Sequence, residues 1–252
     1  MLNKNKIKFI RSLEKKKFRD ETACFLAEGN KLVADIYPFF ECEFLIAKAS
    51  WLAKQGDVCA KELIVAEAND IEKASLLKTP QDVMAIFRQP DYVLGKESLK
   101  NDLSLVLDGI QDPGNLGTIV RLADWFGIRK VICSMDTVDI YNPKVIQATA
   151  GAIARVRVFY VSLSDWLKEI EEIPVYGTFL EGNNIYTETL SDCGLIVVGN
   201  EGKGISSSVE KQITQRLYIP NYPPDAESTE SLNVAMATAI VCSEFRRKHT
   251  YP

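Results

Sequence analysis

The sequence holds a single histidine, His249, near its C-terminal end. That scarcity argues against Ser-His-Asp and Cys-His catalysis, which need an imidazole beside the nucleophile. It also argues against a zinc site, so no metal is expected. Six cysteines, Cys24, Cys42, Cys59, Cys133, Cys193 and Cys242, are scattered without a CxxC pair. They read as free thiols in a reducing cytoplasm, mostly buried filler. No apolar run approaches the roughly 20 residues that span a bilayer. The opening stretch MLNKNKIKFIRSLEKKKFRD lacks the apolar core of a signal peptide. A cytoplasmic protein with no membrane partner is the expectation.

What remains is ordinary for a globular chain: 252 residues, 46% hydrophobic and 25% charged, enough for one large domain or two smaller ones. The net charge of −4 argues against an indiscriminate nucleic-acid binder, but its distribution is uneven. Residues 1–19 carry Lys4, Lys6, Lys8, Arg11, Lys15, Lys16, Lys17 and Arg19 against Glu14 alone. A basic arm on an acidic body can contact RNA phosphates. A solvated terminal helix explains it equally well.

Residues 1–19 have helical spacing, with Ile7, Ile10 and Leu13 on one face. Short strands are expected at 25–27, 44–47, 63–65 and 83–87, and helices at 31–37, 50–55 and 69–77. Asn69 or Asp70 is the candidate cap of the last of these. This makes a small α/β domain over 1–90. A polar linker follows at 91–102, with a second domain over 103–252. There the alternation is stricter, with strands at 103–108, 130–134, 156–161, 174–180, 194–199 and 216–220. Helices are expected at 116–126, 143–150, 164–171 and 206–213, and a last one over about 232–248. Near-continuous apolar strands separated by helices predict a parallel sheet covered on both faces. Ligands of such sheets sit beyond the carboxyl ends of the strands.

Three loops fall at that end. The first, QDPGN at 111–115, places Asn115 in a turn and Arg121 on the following helix. Taken alone, these are a turn residue and a solvated helix face. The second, GNEGKG at 199–204, is glycine-rich with one carboxylate, Glu201. It is neither a P-loop nor a G-x-G-x-x-G fingerprint, and glycine at 199 leaves room for close backbone approach of a ligand. In the third, Ile219-Pro220 is followed by the acidic stretch Asp225, Glu227 and Glu230 and then by SLNV at 231–234. Ser231 is also a natural helix N-cap.

The order N-x-G-x-x-x-R (Asn115, Gly117, Arg121), then G-N-E-G-x-G (199–204), then I-P with E-S-L-N-V (219–220; 230–234) resembles the SpoU/TrmH-type RNA 2′-O-ribose methyltransferases of the SPOUT superfamily. The match covers about 103–248. Residues 1–90 resemble, by pattern, the L30e-like substrate-binding domain of such enzymes. The resemblance implies a parallel SPOUT sheet with a deep trefoil knot, which general connectivity rules would have argued against. It implies S-adenosylmethionine as cofactor, held near Thr178, Phe179, Leu180, Gly199, Asn200, Gly202, Ile219 and Leu232. It implies Arg121, Asn115, Glu201, Ser231 and Asn233 as catalytic positions, with Glu201 steadying Arg121 or the glycine-rich loop. It also implies a homodimer through the small-residue helix after Asn233. The expected substrate is a ribose 2′-hydroxyl in ribosomal RNA. Transfer RNA, a non-catalytic RNA-binding protein on the same fold, and a dinucleotide enzyme are the competing readings. The acidic stretch before Ser231, which would repel RNA phosphate, departs from the family's pattern.

Overall fold

A computed structural model describes residues 2–223 and 231–250, without the side chains of Ser98, Lys248, His249 and Thr250. The acidic stretch of Asp225, Glu227 and Glu230 and the His249 side chain therefore lie outside the described residues. The chain divides into two compact units: Met1–Asp91 with Asp139–Ala154, and Tyr92–Val138 with Arg155–Pro252.

The first unit opens with α1 (Lys4–Ser12) and α2 (Lys16–Thr22). Then come β1 (Cys24–Glu28), α3 (Asn30–Ile36), β2 (Cys42–Ala47), α4 (Ala49–Leu52), β3 (Glu62–Val65), α5 (Ala68–Ala74) and β4 (Val83–Arg88). The sheet order is β1-β4-β2-β3, with β4 antiparallel to both neighbours and β2 parallel to β3.

Two expectations fail here for stated reasons. Residues 1–19 do not form one helix: α1 ends where the buried Leu13 leaves the helical path, and α2 starts after Lys15. Arg19 holds that break. Its Nη1 donates to the carbonyls of Leu13 and Glu14, both at 2.8 Å, while Nε and Nη2 donate to Asp139 Oδ2 at 2.9 and 2.6 Å. At 2% exposure Arg19 is a structural cation, not an RNA contact. Nor is the segment an arm, because Leu2, Ile10 and Leu13 share a core with Ile64, Ile71 and Met84. Secondly, α5 is not capped by Asn69 or Asp70. Its N-cap is Glu67, without a side-chain bond, because Ala66 N still pairs with Ala47 O as the chain leaves the sheet.

Glu28, at the end of β1, is buried and accepts hydrogen bonds from Ser75 Oγ and, at 3.0 Å, from Leu76 N. Burial outweighs these bonds and raises its pKa. A carboxyl whose folded pKa is raised costs stability as pH climbs through the carboxylate range, since only the unfolded chain ionises it freely. Glu28→Gln keeps an acceptor for Leu76 N and carries no charge. Its thermal stability relative to wild type is therefore expected to be higher at pH 7 than at pH 4. A difference independent of pH would contradict this.

The second unit contains β5 (Leu103–Asp108), α6 (Pro113–Trp125) and β6 (Lys130–Ser134). The chain then forms α7 (Pro143–Thr149), which belongs with the first unit, where Gln147 Nε2 donates to Glu28 O at 2.6 Å. Back in the second unit follow β7 (Arg157–Val161), α8 (Leu163–Lys168), β8 (Val175–Asn184), β9 (Gly194–Gly199), α9 (Ser207–Glu210), β10 (Gln215–Tyr218) and α10 (Val234–Thr250). The six strands are all parallel in the order β10-β8-β9-β5-β6-β7. The buried runs of β5 and β9 carry no polar alternation, as a sheet covered on both faces requires. The stretch 91–102 is no loose tether: Tyr92, Leu94 and Leu99 pack on the cluster of Val106, Ile132 and Phe159. Expected helix 206–213 shrinks to the single turn α9.

Strand β8 outruns its expected end at residue 180. Its register against β10 jumps from Gly177↔Arg216 to Asn183↔Leu217, and it pairs with β9 only over 175–177. Residues 178–182 therefore arch out of the sheet without ladder partners. Gly182 permits the arch to close, with φ +147° and a would-be Cβ only 2.7 Å from Arg216 O.

The cysteines are free, and Cys24, Cys42, Cys133 and Cys242 are buried. Burial pushes the Cys42 and Cys242 thiols up to about 12, which leaves them inert at neutral pH. No helix of the described residues is long and apolar enough to cross a membrane.

Candidate functional site

The carboxyl ends of β5, β8, β9 and β10 meet where the strand order reverses, the usual ligand position on a parallel sheet. After β5 the chain turns at Asp112, whose Oδ1 accepts from Asn115 N at 2.8 Å and caps α6. Pro113 occupies the first helical position, where its missing N–H costs nothing. Asn115 thus lies in the first turn of α6, not in the preceding loop as expected. An Asp immediately before Pro is the signal that would have moved the helix start back to residue 113.

From Asn115 a line of side chains crosses the strand ends. Asn115 Nδ2 donates to Glu201 Oε1 at 3.0 Å, and Asn233 Nδ2 donates to Asn115 Oδ1 at 3.1 Å. Asn233 Oδ1 in turn accepts from the backbone N–H groups of Ala235 and Met236, at 3.0 and 3.3 Å. Asn233 is therefore the residue that caps α10, whose first residue is Val234; Ser231 is not the cap, because it sits too far from the helix start. Three residues from three separate motifs, Asn115, Glu201 and Asn233, are brought together. Helices α6 and α10 run side by side in the same direction: Asn115 meets Asn233 at one end, and Arg246 Nε reaches Phe126 O at 2.8 Å at the other.

Arg121 is not joined to this line. Six residues place it about a third of a turn round from Asn115 and roughly 9 Å further along α6. It is exposed and makes no ion pair or hydrogen bond among the described residues. The expected Glu201–Arg121 contact is absent among them. Glu201 instead accepts from Asn115 and, at 3.3 Å, from Asn200 Nδ2.

The loop after β9 is pinned at several points. Asn200 and Gly204 exchange backbone hydrogen bonds of 3.0 and 2.9 Å, and Ser206 N donates to Asp108 Oδ2 at 2.7 Å. Gly199 is needed for a reason other than ligand approach. A Cβ there would stand 2.2 Å from Gly204 C and 2.3 Å from Ile205 N, inside the loop's own backbone.

Beside this loop lies a cavity of about 910 Å³, within the roughly 300–1,000 Å³ usual for small-molecule sites. Thr178, Phe179, Leu180, Gly199, Asn200, Gly202, Ile219 and Leu232 all line it, as do Glu201 and Ser231. Its apolar wall includes Phe179, Ile219, Leu232, Ala237 and Val241, and the irregular stretch of β8 at 178–181 lines it too. Arg216 was not anticipated: its guanidinium lies 3.6 Å from the centre of the Phe179 ring and pairs with Glu210. No spacing rule marks such a residue from sequence. Apolar walls beside polar residues such as Thr178, Asn221 and Ser231 suit a ligand with a flat heteroaromatic ring and a polar tail. S-adenosylmethionine is of that kind.

Residues 102–243 match the SpoU rRNA Methylase family. The chain belongs to the SpoU rRNA methylase family. In addition, residues 4–85 match the MRM3-like substrate binding domain. Among SpoU-family relatives, the chain is 30% identical to the 23S rRNA (guanosine(2553)-2′-O)-methyltransferase RlmP of Bacillus subtilis, over 96% of both chains. A TrmH-family protein from Porphyromonas gingivalis superposes with a TM-score of 0.90 at 43% identity, covering 98% of this chain and 99% of that one. The AdoMet-bound rRNA methyltransferase from Sinorhizobium meliloti gives 0.82 at 28% identity, over 99% and 97%. The SpoU match spans β5 to α10 and so takes in all three loops of the site.

Proposed function

We propose that this SpoU-family chain transfers a methyl group from S-adenosylmethionine to a ribose 2′-hydroxyl in ribosomal RNA. The observation that carries the reading is the convergence of Asn115, Glu201 and Asn233 at the edge of the cavity walled by Gly199, Ile219 and Leu232. The near full-length likeness to an rRNA enzyme favours ribosomal over transfer RNA. S-adenosylmethionine supplies an electrophilic methyl group. The chain's own residues must hold the ribose in line with it and accommodate loss of the hydroxyl proton. Asn115 and Asn233, fixed by neighbouring bonds, orient the ribose, and Ser231 at the cavity wall assists. Arg121 supplies positive charge. The trefoil knot implied by the family motifs belongs to the same reading, as does action in the cytoplasm. The test is incubation of the purified protein with labelled S-adenosylmethionine and unmodified rRNA. Transfer of label into a 2′-O-methylribose is expected, and absence of label from rRNA would overturn the reading.

The functional protein is a homodimer in this proposal. The paired helices α6 and α10 carry Trp125 at 84% and Met236 at 59% exposure, large apolar side chains that a second copy would bury. Light scattering is expected to give twice 28.2 kDa, and Trp125→Glu to shift the protein toward monomer. A wild-type monomer at micromolar concentration would contradict the dimer.

RNA capture falls to the first unit, and to fewer cations than their number suggests. Lys6 pairs with Glu62, Lys16 with Asp20 at 2.8 Å and Lys17 with Glu21 at 3.8 Å, while Arg11 Nη1 donates to Ser75 O at 3.0 Å. Lys4, Lys8 and Lys15 remain exposed without side-chain partners among the described residues: Lys4 and Lys8 lie one turn apart on α1, and Lys15 immediately precedes α2. Reversing these three charges should lower rRNA affinity and flatten its salt dependence by about three ions, with folding unchanged. An identical salt slope would remove these three cations from the interface.

A further inference from the structure

We infer that Asn200, which no motif role requires to act on substrate, is a positioning residue that sets Glu201 and the glycine-rich turn by two separable sets of bonds. Its Oδ1 accepts from the N–H groups of Gly202 and Lys203, both at 3.0 Å, and so shapes the turn. Its Nδ2 donates to Gly109 O at 2.6 Å and to Glu201 Oε2 at 3.3 Å, and so ties β9's loop to the end of β5. All four contacts are within the protein, and they use the full capacity of one carboxamide. The side chain has nothing left to offer a ligand, although it lines the cavity. The expected place of Asn200 among direct cofactor contacts is therefore replaced by a role through Glu201.

The consequence runs along the hydrogen-bonded line. Glu201 takes one amide proton from Asn200 on Oε2 and one from Asn115 on Oε1. With both oxygens engaged, the carboxylate cannot rotate freely, and it fixes which end of the Asn115 amide faces Asn233. Asn233 is fixed from the other side by its cap bonds to α10. The line runs from Gly109 O to the α10 N-terminus with every donor matched to an acceptor. Asn200 is the member that anchors it to the central strand. Partners that orient metal ligands from behind cost about 10- to 100-fold in activity when lost, and a loss of the same order is expected for Asn200.

Asparagine's two halves can be tested apart. Asn200→Asp keeps the acceptor for the Gly202 and Lys203 N–H groups, and aspartate suits such a turn equally well. It removes the donor and sets a second carboxylate beside Glu201 and Gly109 O. Asn200→Ala removes both sets. The inference rests on the methyltransferase reading, so three measurements are made on the full-length protein. In hydrogen exchange without RNA, the 199–206 backbone stays as protected in Asn200→Asp as in wild type and loses protection in Asn200→Ala. In calorimetry, S-adenosylmethionine affinity stays within about twofold in Asn200→Asp. In single-turnover methylation, Asn200→Asp falls about 10- to 100-fold, and adding Glu201→Gln to it costs little more, because the two act as a unit. Wild-type-like turnover in Asn200→Asp, or equal exchange in all three proteins, overturns the inference. A wild-type protein that exchanges as described yet methylates no rRNA sinks the function instead and leaves the turn-shaping half standing.

Discussion

Arg121→Ala is expected to lose about 10² to 10³ in methyl-transfer rate, the usual consequence of removing one group that stabilises developing charge. A ribose 2′-hydroxyl is a weak nucleophile until its proton leaves, so negative charge must grow on that oxygen in the transition state. Guanidinium does not readily give up its own proton at neutral pH, which disfavours a base role. In the proposed function its contribution is electrostatic: it would hold RNA phosphate and offset charge on the 2′-oxygen. The side chain is exposed and bonds to no described residue, so its removal leaves thermal stability unchanged. S-adenosylmethionine affinity should also persist, since Arg121 is not among the cavity's lining residues. Single-turnover rates with rRNA give the measurement. A near-wild-type rate would make Arg121 an ordinary surface cation.

Gly199→Ala should be equally damaging by another route. The added methyl would overlap backbone atoms of Gly204 and Ile205, at 2.2 and 2.3 Å. Neither can retreat cheaply, because Ile205 is buried in the apolar cluster and Ser206 N is bonded to Asp108. Overpacking of this kind costs about 1–3 kcal/mol. The loop it displaces forms one wall of the cavity, so S-adenosylmethionine affinity is expected to fall by about 100-fold or more, roughly 2.7 kcal/mol. Gly202→Ala is the control: its nearest atom would be Asn200 Oδ1 at 3.8 Å, and its stability should match wild type. Unchanged melting temperature and cofactor affinity in Gly199→Ala would falsify this account of the loop.

Much of this arrangement is legible in the sequence because it is local. The strands 103–108, 130–134 and 194–199 announce themselves as apolar runs, and the observed ends agree. The three motifs fall at the carboxyl ends of strands, and that alone is enough to bring them to one side of a parallel sheet. What escapes is contact between distant segments. Nothing in the spacing says that Arg19 turns inward to Asp139, a hundred and twenty residues away, or that Arg216 stacks on Phe179. The basic count of the first nineteen residues suggests an arm, yet Ile10 and Leu13 are core residues, and most of the cations are spent on neighbours. The arch of residues 178–182 looks like continuous strand from its composition. Only the register against β10, and the backbone approach at Gly182, reveal that it leaves the sheet. Gly199 illustrates the same limit within one loop. Its presence is readable, but its cause, the returning backbone of residues 204–205, depends on a fold no pattern specifies.

Methylation of a ribose in ribosomal RNA by this site is read out by nucleotide-resolution mapping of 2′-O-methylation. Ribosomal RNA from cells lacking this protein should miss a 2′-O-methyl mark, and adding back the purified wild-type chain with S-adenosylmethionine should restore it, whereas the Arg121→Ala variant should not. An unaltered 2′-O-methylation map in the deletion strain, or a restored mark on a base instead of a ribose, would contradict the account.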